Sequence, residues 1–382
     1  MVALDLDEMQ QMLQELSHQF ALDEIRPNAE HWDKESEYPI QAIKAADELG
    51  LLNLHIPEEY GGAGLGSMEE VVVTEELAWG DPGFATAAYA TSLAIAPIIT
   101  GGTEEQKQKW LRKVAEEGAL ASYCVTEPQA GSDVASIATT AIKDGDDYII
   151  NGEKMFITGA GYADFFFVLT KTDPIAGYKG MSGFVVESNA GGVSLGKKEN
   201  NMGQRCSDTR SVIFNDVRVP ASQLIGGSES GGWMNAMNAF DMSRPNIAAQ
   251  ATGLARAAFE HALQYSDERE TFGQKLHQHQ AIQFMLADMK TKIEASRLLT
   301  WKSAVLADAG QKNTEAAAHA KRFAADTAME VSTDAVQIFG GYGYSEEYPV
   351  ARLMRGAKVL QIYEGSSQVQ RMIIGREMLR GL

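Results

Sequence analysis

Cysteine is almost missing from this chain of 382 residues. Cys124 and Cys206 fit no disulfide framework and no metal ribbon, so both read as reduced, buried thiols of an intracellular protein. Basic charge is also scarce. Against 52 Asp and Glu stand 33 Lys and Arg, a formal net charge of −19. That balance opposes general affinity for nucleic acid or an anionic membrane, which needs clustered cations. Any phosphate-bearing ligand must then be held by a few local donors. Membrane-spanning runs are wanting as well. Pro82 to Gly102 is uncharged, but Thr86, Thr91, Ser92 and Thr100 interrupt it and Pro97 is expected to break a helix within it. A buried helix is the expectation there, without integral membrane association. The first residues show neither a basic n-region nor an apolar h-region.

A Walker-type Gly-Lys-Ser is lacking too, so the four glycines of Pro57-Glu-Glu-Tyr-Gly-Gly-Ala-Gly-Leu-Gly66 read as a turn between helices. What is present falls into three stretches. Residues 1–120 are expected to be all-α, with helix starts at Asp5…Glu8, Ser67…Glu70 and Thr103…Gln106. In 121–228 the pattern turns to β: Tyr148–Ile150, Met155–Thr158, Phe165–Leu169, Gly183–Val186 and Ser211–Phe214. Asn151-Gly152 reads as a hairpin and Asn215-Asp216 as another turn. Strands without intervening helices favour an antiparallel barrel or sandwich and leave no Rossmann unit. Residues 229–382 read as a helical bundle, with helices near 233–265, 279–309 and 314–339, stops at Gly310 and Gly340, and Pro349 opening a shorter helix. The fold class is α+β.

That last helix leads into Gln361-Ile-Tyr-Glu-Gly-Ser-Ser-Gln-Val-Gln370. One carboxylate, Glu364, stands between an aromatic and a glycine where a further helix begins, capped by Gly365 or Ser366. Free backbone N–H groups at that start would favour its anion, and apolar Ile362 and Tyr363 would raise its pKa. A catalytic base needs such a balance. His277 and His279 form an H-x-H without further ligands and read as loop residues, so no metal site is expected.

Tyr123-Cys-Val-Thr-Glu-Pro-Gln-Ala-Gly-Ser-Asp133, Met202-Gly-Gln-Arg-Cys-Ser-Asp-Thr-Arg210, Arg269-Glu-Thr-Phe-Gly273, Gln337-Ile-Phe-Gly-Gly341 and Tyr363-Glu-Gly365 follow one another in an order and spacing that resemble the acyl-CoA dehydrogenases, nearest to the short- and medium-chain type. The resemblance covers nearly the whole chain. It implies an N-terminal helical domain, a middle β domain and a C-terminal four-helix bundle, assembled as a homotetramer that binds FAD between domains and across a subunit interface. By the same resemblance, Tyr123, Val125, Thr126, Ser132, Phe156, Ile157 and Thr158 would face the flavin. Arg269, Thr271, Phe272, Gln280, Gln337, Gly340 and Gly341 would reach the pyrophosphate and adenine of a neighbouring subunit's FAD, and Ser366 and Gln368 complete the cofactor set. Ser132, Asp241, Ser243, Arg244, Gly365 and Arg376 fall near the CoA moiety, while Phe240 and Tyr363 line the pocket. From the residues alone, Asp241 and Arg244 are a surface i,i+3 pair.

The implied reaction is α,β-dehydrogenation of a saturated acyl-CoA in fatty-acid β-oxidation, with Glu364 as base and an electron-transferring flavoprotein as partner. In the isovaleryl and long-chain branches the base lies where this chain has Ser243, which leaves the role to Glu364. Glutaryl-type enzymes carry an Arg where this chain has Phe84, so a dicarboxylyl substrate is not expected. Ala85, Ala87, Ala88, Tyr89 and Ile95 are expected to form the cavity floor, which fits short or medium chains. A flavin-dependent oxidase on the same fold and a non-catalytic flavin or acyl-CoA scaffold are the alternatives; the larger oxidases extend well beyond the position of Leu382, and Tyr363-Glu364-Gly365 argues against a scaffold. A bacterial protein of this kind would be cytoplasmic, and a mature eukaryotic one would lie in the mitochondrial matrix.

Overall fold

The computed structural model describes residues 5–380. Six helices come first: α1 (Glu8–Phe20), α2 (Ala29–Glu35), α3 (Ile40–Glu48), α4 (Ser67–Gly80), α5 (Pro82–Gly101) and α6 (Glu104–Glu117). Thr103 and Gln106 cap α6 reciprocally, as their spacing predicts. The other two starts are displaced. Asp7 and Gln10 form the box of α1 in place of Asp5 and Glu8. At α4 the Glu69 carboxylate accepts the Gly66 N–H at 2.9 Å, and Ser67 is already helical. The free N–H groups of Ser67 and Met68 donate instead to Asp308, 2.6 and 3.0 Å away, at the end of a helix far along the chain.

Helix α5 runs unbroken through Pro97, and Ala94, Ile95, Ala96 and Ile98 beside it are fully or almost fully buried. A single missing N–H one turn before the helix end costs less than that packing contributes. Among the described residues α5 is long and apolar enough to cross a membrane, yet most of it is enclosed by the protein.

The middle of the chain forms β1 (Ala121–Cys124), β2 (Thr140–Asp144), β3 (Asp147–Ile157), β4 (Phe165–Lys171), β5 (Met181–Glu187), β6 (Val193–Lys198) and β7 (Arg210–Pro220) in one sheet, ordered β1-β4-β2-β3-β7-β6 with β5 also on β4. The sheet is mixed, not wholly antiparallel. β1 and β4 pair in parallel, Ala121 opposite Phe165, because the β2–β3 hairpin intervenes and returns the chain in the same direction. The two expected turns at Asn151-Gly152 and Asn215-Asp216 are not turns either. They face each other as a bulge within the long β3/β7 pair, where Asn151 both donates to the Asp216 carboxylate (3.0 Å) and accepts its N–H (2.8 Å). The β2–β3 turn falls at Gly145-Asp146.

The remainder is α7 (Gly232–Glu268), a small hairpin of β8 (Glu270–Thr271) and β9 (Gln274–Lys275), then α8 (Gln280–Asp308), α9 (Thr314–Phe339), α10 (Pro349–Leu360) and α11 (Ser367–Leu379). Helix α4 packs into this bundle. Glu75 accepts from Arg256 at 2.9 Å and from Arg297 at 2.7 Å, and Gly253 lies so near that a Cβ there would meet the Glu75 carbonyl oxygen at 2.2 Å. Opposite charges and a glycine thus let two backbones touch.

Candidate active site

Glu364 lies in the link 361–366 between α10 and α11, with φ of 54°, and Gly365 follows at 84°. Two consecutive left-handed residues turn the chain sharply, and a non-glycine there costs on the order of 1 kcal/mol. Buried Gln370 holds the turn, its amide donating to the carbonyls of Glu364 (3.0 Å) and Gly365 (2.9 Å). A Cβ on Gly365 would strike that amide at 2.7 Å. Lys321 of α9 also donates to the Gly365 carbonyl, at 2.7 Å. The Ser366 hydroxyl caps α11 by accepting from Val369 N–H.

The helix-start N–H groups are therefore not what steadies the Glu364 carboxylate. Ser243 of α7 donates to it at 2.8 Å. Burial pushes the carboxyl above its usual range, while the Ser243 hydroxyl and the charges of Arg244 and Lys321 pull it back. Burial also drives the Lys321 ammonium down to about 7, opposed by the Glu364 charge. Lys321 escaped the sequence reading because an isolated Lys in a helix carries no local signal.

The carboxyl opens onto a largely apolar cavity between α5 and α7. Thr158, Ser243, Tyr363 and Glu364 share it. Tyr363 is held by Thr86 and Gln250, each at 3.2 Å. On α5 the lining face carries Thr86, Tyr89, Ala90, Leu93 and Ala96; of the expected floor only Tyr89 belongs, and Ala85, Ala87, Ala88 and Ile95 are core residues on other faces. Phe84 does not reach the cavity either: it is fully buried against Trp32 and Phe20. Phe240 stands behind the lining, edge-on to Tyr123. Asp241 turns away to pair with Arg244 (2.6 Å) and accept from Thr314 (2.7 Å). That pair is no surface feature, since Arg244 is only 6% exposed.

Phe156, at the end of β3, is 58% exposed with φ of 60°, and Thr158, two residues on in the turn that follows, lines the cavity. Ile157 and Val125 are core side chains that offer only backbone groups, while Tyr123 and Thr126 are half-buried. Ser132 is exposed on a loop pinned by a buried pair: Lys154, wholly enclosed, meets Glu127 at 2.8 Å, and Glu127 also accepts from Thr139. The 202–210 motif works behind α5, where Gln204 accepts from Thr86 (2.7 Å) and donates to the Gly356 carbonyl (3.0 Å).

A second group lies apart, outside the cavity lining. Arg269, exposed Phe272, Gln280, Gln337, Gly340 and Gly341 all reach the surface, and the Arg269 guanidinium lies 5.9 Å from the Tyr342 ring, which brings the hairpin to the glycine turn. His279 contacts Thr271 and Gln274 and so braces that hairpin. Ser366 and Gln368 open onto a groove with Arg322, Lys358 and Arg371. Arg376 is exposed beside Glu377.

Three family models match in succession: the acyl-CoA dehydrogenase N-terminal domain over residues 7–118, the middle domain over 122–217 and the C-terminal domain over 230–379. A probable medium-chain specific acyl-CoA dehydrogenase 2, mitochondrial, of Caenorhabditis briggsae is 43% identical over 381 residues, 99% of this chain and 92% of the relative. The butyryl-CoA dehydrogenase structure of Megasphaera elsdenii superposes with a TM-score of 0.96 at 42% identity, covering 99% of this chain and 100% of the other. A chain from work on the electron transferring flavoprotein of Acidaminococcus fermentans and flavin-based electron bifurcation gives 0.97 at 44%, with the same coverage. With each of its three parts matched in order and relatives this similar along its whole length, the chain belongs to the acyl-CoA dehydrogenase family.

Proposed function

We propose that the protein is an FAD-dependent dehydrogenase that converts a short- or medium-chain saturated acyl-CoA to its trans-2-enoyl-CoA. The observation that carries this reading is the Glu364 carboxyl, held by Ser243 at the mouth of an apolar cavity and poised by opposing burial and cationic charge. Exposed Phe156 and the Thr158 hydroxyl beside that cavity suit one face and the polar edge of a flavin ring, and Arg269 near Gly340 and Gly341 suits a pyrophosphate. The flavin, when bound, supplies the acceptor for the β-hydride.

The chain's own part is acid–base and positional. Glu364 takes the α-proton, Ser243 holds its carboxylate in place, and the cavity walls keep water from the reacting carbons. The charge that develops on the thioester oxygen needs donors, and by the family resemblance the backbone N–H of Glu364 would be one of them. Electron-transferring flavoprotein as acceptor is supported by the flavoprotein-associated neighbour. A homotetramer, domain limits at 1–120, 121–228 and 229–382, and a cytoplasmic or mitochondrial-matrix setting belong to the same proposal.

The test is direct. The protein should purify yellow with one FAD per subunit and bleach anaerobically with butanoyl-CoA or octanoyl-CoA. A folded protein that takes up no flavin, or a yellow one that no acyl-CoA bleaches, overturns the reading.

A further inference from the structure

The cavity of Glu364 carries a polar group that an alkyl chain does not need. His55 and Glu70 both line it, with the imidazole Nδ1 3.1 Å from the Glu70 carboxylate. Glu70 is 5% exposed. The His55 charge and the Asn246 side chain hold its carboxyl below the usual range, against the effect of burial. An ionised Glu70 can only accept, so Nδ1 carries the proton between them. The other ring nitrogen, Nε2, is shut off from solvent and has no protein partner.

Position favours a role in recognition. Asn246 follows Ser243 by one turn of α7, ~4.5 Å along its axis. On α5, Thr86 contacts Tyr363 while Tyr89, one turn on, reaches the Glu70 carbonyl. Both helices thus place the His55–Glu70 pair one turn beyond the reacting end. A methylene chain against that wall gives Nε2 no partner, and an unmade bond of this kind in a buried site costs more than a made one contributes.

Resting on the dehydrogenase reading, we infer that this wall selects acyl groups bearing a hydroxyl toward their distal end. A hydroxyl can donate to the lone pair of a neutral ring or accept from an imidazolium, so it satisfies Nε2 in either state. A terminal carboxylate would meet the Glu70 anion, and a plain methyl end leaves the nitrogen bare.

The experiment uses the flavin-loaded enzyme with matched acyl-CoA pairs from four to ten carbons, one of each pair ending in methyl and the other in hydroxyl. At one chain length the hydroxyl member should exceed its partner in kcat/KM by about tenfold. His55→Phe combined with Glu70→Leu, which removes both polar partners and leaves no charge stranded, should abolish that preference. Methyl ends favoured at every length in the wild type, or a hydroxyl preference that survives the double replacement, overturns the inference. The wild-type series decides the matter even where the variant fails to fold. Absence of turnover with every member removes the dehydrogenase reading and this inference together, whereas turnover with methyl preference removes only the inference.

Discussion

Ser243 and Glu364 are 121 residues apart in the chain and joined by one hydrogen bond of 2.8 Å. The bond occupies one oxygen of the carboxylate and leaves the other available to accept. Glu364→Gln keeps the shape and loses the base. Flavin reduction by octanoyl-CoA or butanoyl-CoA, followed by stopped flow, should fall by roughly 10²–10⁴ while substrate binding persists. A near wild-type rate with both would take the role from Glu364.

Ser243→Ala removes the donor and keeps the carboxylate. The hydroxyl favours the anion, so its loss raises the Glu364 pKa further. The acidic limb of the pH profile for flavin reduction should move to higher pH, with little change on the alkaline side. An unmoved limb would mean that the hydroxyl only packs.

Lys321→Met tests the buried ammonium. In the folded protein Lys321 loses its proton near 7, far below its ordinary value of 10.5, so between those limits the unfolded chain binds more protons and stability rises with pH. The cost of the buried charge is complete below pH 7 and fades toward pH 10. Any stabilisation by Lys321→Met should therefore be largest at pH 6 and shrink as pH climbs, read as the Tm difference from wild type. A constant difference would contradict the burial of that charge.

Lys154→Met strands the Glu127 carboxylate inside the β domain. Breaking such a pair from one side costs about 3–5 kcal/mol, more than removing both charges. Urea unfolding of Lys154→Met, Glu127→Gln and the double variant should show the double variant less destabilised than Lys154→Met alone. Additive losses would show that the pair is not coupled.

Arg269→Ala removes a surface cation proposed to hold a phosphate. FAD affinity should weaken by about 1.5–3 kcal/mol, with the reduction rate preserved at saturating FAD. An unchanged FAD dissociation constant would reduce Arg269 to its contact with Tyr342.

The long helices were legible because glycine and proline mark their ends: expected spans at 233–265, 279–309 and 314–339 lie within a few residues of Gly232–Glu268, Gln280–Asp308 and Thr314–Phe339. Asn151-Gly152 misled because its turn chemistry is local, whereas the eleven-residue partner β7 holds β3 straight through it. The cavity face of α5 was hidden for a different reason. A helix apolar on every side has no periodicity to show which side faces a ligand, and Thr86, Ala90 and Leu93 at helical spacing emerge only once α7 is in place. The His55–Glu70 contact closes a loop of fifteen residues and the Lys321 bond joins segments farther apart, and nothing in either neighbourhood announces them.

Asp308 caps α4, and Arg256 and Arg297 hold its acidic side. Translation reaches those residues long after α4 has left the ribosome. At the usual ~5–20 residues per second, about ten to fifty seconds separate the synthesis of α4 from that of its partners. Throughout that interval Glu75 stays hydrated and the face of α4 that meets α7 stays uncovered, while Glu76 has only His18 and Gln14 of α1 as partners. That face of α4 must wait for the bundle, and it is there that a holding chaperone would act.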